Sequence, residues 1–500
     1  MSGIRSVNLA FSVLVVALAV FMETAGAQSC ITGVLGKGTD WQVTYHIKDS
    51  GIEGPTVLVV GGIHGNEWGG WLAAEQIRHW SVDCGKLVVI PQVNRLGLKA
   101  SMRWFPPTRN DSKLRDLNRN FPTQSRKQAV TDIAKDIWAF VVQQQPDWVF
   151  DLHEGFDFHR INSKSVGSSV ISFPSQRAFA KELVDVVNHS LPDRRKFDLL
   201  AGAGPVEGSL ARACGERLKA KSFILETTFK DQPLSTRTRQ HRQMVSHALV
   251  KIGMLGESRV EQLVKNTSEK IEVGLFDGPG ASAKRILPIL HQFEELQVVP
   301  LGPDDIRKVS LDQFDVLLFP GGSGSKQGKA LGQEGRIRVR EFTANRGGIV
   351  GICAGAYLCS SHYNWSLDLM NAKVFNTMVN VPGKGRKSMW YRGPVADVDV
   401  EIHPAGKSVL GLTGLHQVRY ANGPIISPGN KPNVPPYKVL ATFRSENGIY
   451  EAQKGTMVGK PAVLYSKFGD GKVLALSPHF EFTRGKEKVI LEAIESVVGR

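Results

Sequence analysis

Apolar residues fall in short runs along the chain. TVLVVGG from Thr56, KLVVIPQVN from Lys86, DWVFDLHE from Asp147 and KSFILETT from Lys221 read as buried strands with polar residues at their carboxyl ends. Between them AEQIRHW and residues 129–144 repeat apolar positions at helical spacing. The alternation pauses over GESRVEQLVKNTSEK, which is polar and holds no strand. It restarts with IEVGLFDG, DVLLFPGG, GGIVGICAGAY and KVLALSPHFE. The pattern predicts an α/β chain in two halves, residues 28–254 and 271–500, joined by a linker at 255–270. No internal repeat relates the halves. In open α/β sheets ligands gather at the carboxyl ends of strands, and every motif considered below lies at such an end.

One longer apolar stretch, residues 9–22, follows Arg5 and precedes Ala25-Gly26-Ala27. A basic start, about 14 apolar residues and small residues before Gln28 describe a secretory signal peptide over 1–27, cut near Ala27. The stretch falls short of the ~20 residues that span a bilayer. The expectation is a secreted or periplasmic protein with no stable membrane insertion. An oxidising compartment permits disulfides among Cys30, Cys84, Cys214 and Cys359, in any of three pairings. Asn110, Asn188, Asn266 and Asn364 each begin an N-x-S/T pattern.

Composition narrows the classes further. With 500 residues, 42% hydrophobic and 22% charged, the chain is neither disordered, coiled-coil nor collagen-like. The net charge of +15 favours anionic surroundings, but the basic residues are scattered without a stripe or block. Nucleic acid is therefore not an expected partner.

In the first half, Gly61-Gly62-Ile63-His64-Gly65-Asn66-Glu67 follows a buried strand, and His153 ends another in Asp151-Leu152-His153-Glu154. Two histidines and a carboxylate leave one tetrahedral position of Zn²⁺ open, the layout of a catalytic site, and either Asp151 or a backbone carbonyl is expected to orient a ligand from behind. Glu226, in FILETT, is the candidate base. Asn118 and Arg119, in DLNRNFP, offer an amide and a planar guanidinium suited to a carboxylate or an oxyanion. The order GxHGxE, DLNRNFP, DLHE, ILETT over residues 35–250 resembles the zinc carboxypeptidase superfamily, in particular its succinylglutamate desuccinylase/aspartoacylase branch. The resemblance implies one zinc per chain on His64, Glu67 and His153, with Glu226 as general base and Asn118 and Arg119 on the substrate. A second arginine is expected near the carboxylate; Arg103, Arg109 and Arg115 are the candidates and Arg103 is favoured. Tyr45 is the only tyrosine between Gln28 and Leu255, so the late tyrosine of digestive carboxypeptidases has no match.

In the second half, Gly351-Ile352-Cys353-Ala354-Gly355 places a cysteine on a strand-to-helix turn between small residues, where the helix start favours thiolate. His479 and Glu481, in SPHFE, form an H-x-E pair in which the glutamate orients the imidazole and the imidazole activates Cys353. Gly321, Gly322 and Ala354 are candidate oxyanion donors. Cys359 reads as packing. Residues 271–500 resemble class I glutamine amidotransferase-like domains, close to the amino-terminal domain of some biotin-protein ligases. That resemblance implies a flavodoxin-like sheet and a Cys353–His479–Glu481 triad, without establishing glutaminase activity.

The expected fold is thus a zinc carboxypeptidase-like mixed sheet followed by a flavodoxin-like amidotransferase-type domain. The expected activity is zinc-dependent hydrolysis of the amide bond of a small molecule or peptide bearing a carboxylate, as in an N-acyl amino acid. A metallocarboxypeptidase or murein-peptide amidase is the second reading. A ligand-binding protein without catalysis is the third.

Overall fold

The computed structural model describes residues 29–189, 191–200, 202, 204–256, 270–308 and 311–499. The expected signal peptide and most of the expected linker lie outside the described residues. Among the described residues no helix is long and apolar enough to cross a membrane.

The first half forms one mixed sheet of eight strands. These are β1 (Ser29–Leu35), β2 (Val43–Asp49), β3 (Thr56–Gly61), β4 (Lys86–Ile90), β5 (Trp148–Gly155), β6 (Ser169–Ser172), β7 (Asp198–Leu200) and β8 (Lys221–Thr228), in the order β1-β2-β4-β3-β5-β8-β6-β7. The four apolar runs became β3, β4, β5 and β8, the parallel centre of the sheet. Their continuous aliphatic character follows from burial on both faces. In β3, Val57 and Val59 join the core beneath the Trp68–Ile77 and Leu234–Lys251 helices, while Leu58 and Val60 join the core beneath the Asp132–Gln144 helix.

The second half forms a nine-stranded sheet. Its strands and two short ribbons are β9 (Ile271–Phe276), β10 (Leu296–Leu301), β11 (Val316–Phe319), β12 (Gly348–Ile352), β13 (Ala372–Val374), β14 (Met378–Val381), β15 (Gly385–Ser388), β16 (Ala396–Ile402), β17 (Gly414–Tyr420), β18 (Ile426–Pro428), β19 (Tyr437–Phe443), β20 (Pro461–Phe468) and β21 (Gly471–Leu476). The parallel block runs β10-β9-β11-β12-β21, the doubly wound order of a flavodoxin-like sheet. Strands β20, β19, β16 and β17 extend it antiparallel. The ribbons β13–β18 and β14–β15 stand apart from it.

The two sheets meet across the Leu234–Lys251 helix. Trp71, Leu72, Leu98 and Leu234 of the first half share an apolar cluster with Leu275, Leu287 and Leu290 of the second. The His291 ring lies 4.9 Å from Trp71, and burial lowers its pKa to about 4. Asp277 accepts from the Ser235 amide at 2.8 Å, and Arg242 donates to Asp305 at 3.3 Å. On the other side of the same helix, Arg237 donates to both oxygens of Glu154 at 2.7 and 2.8 Å. Glu154 also accepts from the Gly69 amide and the Thr227 hydroxyl.

The disulfides that an oxidising compartment permits are not formed: all five cysteines are unpaired. Cys214 and Cys359 are buried in separate apolar clusters, and the Cys84 thiol donates to the Gly253 carbonyl.

Because the Glu154 side chain is fully buried, Arg237→Ala strands a charge. The substitution is expected to destabilise the fold by about 3–5 kcal/mol, read from urea unfolding. Replacing both residues at once is expected to cost less than Arg237→Ala alone.

Candidate active sites

The parallel register sets the first site. Gly61 pairs with Leu152, and His153 pairs with Glu226, so the ends of β3, β5 and β8 open on one place. Beyond β3 the chain turns back through Gly62 at φ +70° and Gly65. A Cβ on Gly65 would lie 2.0 Å from the Gly97 carbonyl carbon, so only glycine allows this close approach. The turn brings His64 and Glu67 against His153.

All three side chains are buried. His64 Nδ1 lies 2.7 Å from Glu67 Oε1, His153 Nδ1 lies 2.8 Å from Glu67 Oε2, and the two Nδ1 atoms are 3.2 Å apart. Behind them, His64 Nε2 faces Asp116 Oδ1 at 3.0 Å. His153 Nε2 lies 3.1 Å from Asp151 Oδ1, on a fully buried carboxylate that has no hydrogen bond of good geometry. Asn118 Nδ2 sits 3.2 Å from the same ring nitrogen.

Asp116 accepts the His64 Nε2 proton and turns that ring's Nδ1 lone pair inward, as in carboxylate–histidine–metal arrangements. The His64 lone pair and both oxygens of Glu67 then converge on His153 Nδ1, and these acceptors repel unless a cation or a proton lies among them. Burial alone would lower the His153 pKa, but Asp151 and Glu67 hold it well above its usual value. Burial would raise that of Glu67, but the two imidazoles hold it well below. Such a buried N₂O donor set with oriented imidazoles fits zinc.

Glu226 completes this site. Its Oε2 is buried without a hydrogen-bond partner. Burial raises its pKa to about 8; His153 opposes the shift and Glu67 adds to it. Glu226, His64, Glu67 and Arg103 line a cavity of about 430 Å³ that also meets Asn66, Asn162, Lys164, Phe156 and Phe229. Arg103 donates to Glu67 at 2.9 Å and approaches Asp116 at 3.5 Å.

The other candidates of the first half sit farther back. Asn118 is buried behind His153, and its Oδ1 accepts from the Leu210 amide. Arg119 is exposed and donates to the Asn118 carbonyl, outside the residues lining the cavity. Sequence reasoning passed over Asp116, although it opens the quoted DLNRNFP motif. It also passed over Lys164 and the two phenylalanines, which carry no motif.

The second site lies at the ends of β11, β12 and β21. Cys353 stands at φ 50°, ψ −97°, a strained turn for a residue with a side chain. Both flanking glycines are required: a Cβ on Gly351 would lie 2.6 Å from the Gly355 oxygen, and one on Gly355 would lie 2.0 Å from the Phe319 oxygen. His479 Nδ1 lies 2.7 Å from Glu481 Oε1. Burial would lower the His479 pKa, but hydrogen bonds to Cys353 and Glu481 raise it to about 10. Gly321 is pressed against this ring, where a Cβ would be 2.8 Å from Cε1. Gly322 lines a cavity with Cys353, and Ala354 begins the Ala354–Cys359 helix. Cys359 is inert by comparison, its thiol pushed up to about 12 by burial.

Comparison with known proteins agrees with both halves. Residues 53–164 match the family described as succinylglutamate desuccinylase/aspartoacylase catalytic domain. Residues 273–496 match the family described as biotin-protein ligase, N terminal. A curated relative, N-alpha-acetyl-L-2,4-diaminobutyric acid deacetylase of Halomonas elongata, is 33% identical over 106 residues. The match covers 21% of this chain and 29% of that protein, so the chain spans under a third of the relative's length. Similar solved structures include the mDAP-bound form of Csd4, a D,L-carboxypeptidase of Helicobacter pylori, at 22% identity, 40% of this chain, 52% of that chain and TM-score 0.34. They also include a succinylglutamate desuccinylase/aspartoacylase of Rhodobacter sphaeroides, at 18% identity, 48% of this chain, 70% of that chain and TM-score 0.33.

Two outcomes follow from this geometry. Gly65→Ala is expected to destabilise the fold by about 1–3 kcal/mol through overpacking, read from urea unfolding. The stability that His479 draws from Glu481 is full below pH 6.5, its ordinary pKa, and is lost as pH rises through about 10. The melting-temperature difference between the wild type and Glu481→Gln is therefore expected to shrink across that window.

Proposed function

We propose that the chain is an exported zinc-dependent hydrolase of amide bonds that acts on N-acyl amino acids or small peptides bearing a carboxylate. In this reading residues 28–254 are the hydrolase domain and residues 271–500 an accessory thiol domain. The observation that carries the proposal is the convergence of His64, Glu67 and His153 beside the unpartnered, buried Glu226 in a cavity that also holds cationic groups.

His64, Glu67 and His153 would hold the zinc ion. When bound, zinc supplies Lewis acidity at the amide carbonyl and acidifies water. Glu226 takes the proton of the attacking water and returns it to the leaving nitrogen. Its raised pKa in the absence of metal marks an environment that accepts a proton readily. Arg103 and Lys164 offer positive charge for the substrate carboxylate, and Phe156 and Phe229 offer apolar surface for its acyl or side-chain group. Asn118 positions the His153 ring. Arg119, which donates to the Asn118 carbonyl and is not among the residues lining the cavity, reaches substrate only after a change of rotamer.

In the second domain, Cys353 acts as nucleophile, His479 as its base and Glu481 as the group that orients His479. The amides of Gly322 and Ala354 stabilise the developing oxyanion, and Gly321 supplies the space that the His479 ring needs.

The purified mature chain is expected to bind about one zinc, and His64→Ala/His153→Ala to bind none, by elemental analysis. Glu226→Gln is expected to retain the metal and lose about 10²–10⁴-fold in kcat on N-acyl amino acids. Cleavage of peptide ends without action on N-acyl amino acids would transfer the site to the metallocarboxypeptidase or murein-peptide amidase reading. Folded protein that takes up no zinc would leave the ligand-binding reading.

A further inference from the structure

The cavity over Cys353 has a volume of about 560 Å³. Its lining differs in kind from that of the zinc cavity. Where the first site presents Glu67, Arg103, Lys164 and Glu226, the second presents no Asp, Glu, Lys, Arg or His side chain among its lining residues. Its walls are aromatic. Tyr363 and Trp365 are stacked, with ring centroids 4.4 Å apart and planes 9° from parallel. Trp390 and Tyr391 stand at the cavity 46% and 41% exposed, although rings of this size are ordinarily packed away.

The polar groups among the lining residues are neutral. Ser323 and Ser325 carry hydroxyls, and the Tyr363 hydroxyl accepts from Asn376 Nδ2 at 3.1 Å, which leaves its own proton to donate. Arg392, buried near this end, is already committed to the Asn447 and Gln453 carbonyls, the Thr456 hydroxyl and Glu446, and the buried His479 is committed to Glu481. Aromatic faces bordered by neutral hydrogen-bonding groups recognise a flat ring with apolar faces and polar edges. A free α-amino acid brings an ammonium group that finds no carboxylate here, and stripping its water without a counter-charge is unfavourable.

We propose that the Cys353 cavity takes an uncharged amide carried on a flat ring with apolar faces, aromatic or sugar, and rejects free α-amino acids such as glutamine. This rests on the reading of Cys353 as nucleophile. The sulfur attacks the amide carbonyl carbon, a C–S bond forms as the C–N bond breaks, and the His479 imidazolium gives its proton to the departing nitrogen. Water then adds to the thioester, His479 takes a proton from it, and breaking the C–S bond releases the acid and restores the thiolate. The sum is amide plus water giving acid plus amine.

The test is protection of Cys353 from iodoacetamide, followed by mass spectrometry of the full chain. N-acetylphenylalaninamide or the N-acetylglucosamine disaccharide is expected to slow labelling about threefold at twice its dissociation constant, whereas glutamine leaves the rate unchanged. Whichever of the two protects identifies the ring. Trp390→Ala is expected to weaken that protection. Protection by glutamine, stronger protection by N-acetylphenylalanine than by its amide, or no protection by either neutral compound overturns the proposal. The nucleophile reading fails separately, if Cys353 labels no faster than Cys30 and Glu481→Gln leaves its rate unaltered. Ligand class is then still decided by the tryptophan fluorescence of Cys353→Ser on addition of the same compounds.

Discussion

The parallel alignment of β3, β5 and β8 is the constraint on which the first site depends. Hydrogen bonding between neighbouring backbones fixes which residues stand side by side, and here it sets Leu152 beside Gly61 and Glu226 beside His153. A slip of one residue would send every side chain of a strand to the opposite face. The aliphatic residues of β3 prevent such a slip, because alternate positions are claimed by cores on opposite faces of the sheet. Packing energy far from the chemistry thereby holds an imidazole and a carboxylate in place at the sheet's edge. The same logic operates at β11, β12 and β21, where Cys353, His479 and the Gly321-Gly322 turn come from three different strand ends.

Much of this was legible in the sequence because the central strands are continuous apolar runs and the chemistry sits where they stop. Of the four runs expected in each half, all became parallel strands. The outer strands were not legible. β1 is almost wholly exposed, and β16 alternates buried valines with acidic residues that carry no motif. Within the sites, His64, Glu67, His153 and Glu226 were recoverable from motif order, and Cys353 from its flanking glycines. Lys164 and the aromatic residues around Cys353 were not, since they reach their cavities from loops whose course only tertiary packing decides. Arg119 was likewise named by its motif, and in this structure its guanidinium donates to the Asn118 carbonyl.

The helix from Leu234 to Lys251 was hardest to anticipate from its residues. Its mean character is polar, yet Arg237, Thr238, Gln240, His241 and Arg242 are all buried along it. The explanation is that two bodies pack against it. Arg237 reaches the β5 carboxylate next to His153, and five residues on Arg242 reaches Asp305 beyond β10. Polar residues at helical spacing here describe a helix whose several faces all find partners, rather than a solvated surface.

That seam bears on how such a chain can change over time. The Ser235–Asp277 and Arg242–Asp305 contacts each draw one member from either side. Exchanging one half for a distant counterpart would take these partners away from a buried amide and a buried charge, even with both side-chain clusters intact. The two halves are therefore obliged to vary together at the seam while remaining free to diverge at their cavities. A chain joined in this way behaves as a single heritable unit, not as two interchangeable cassettes.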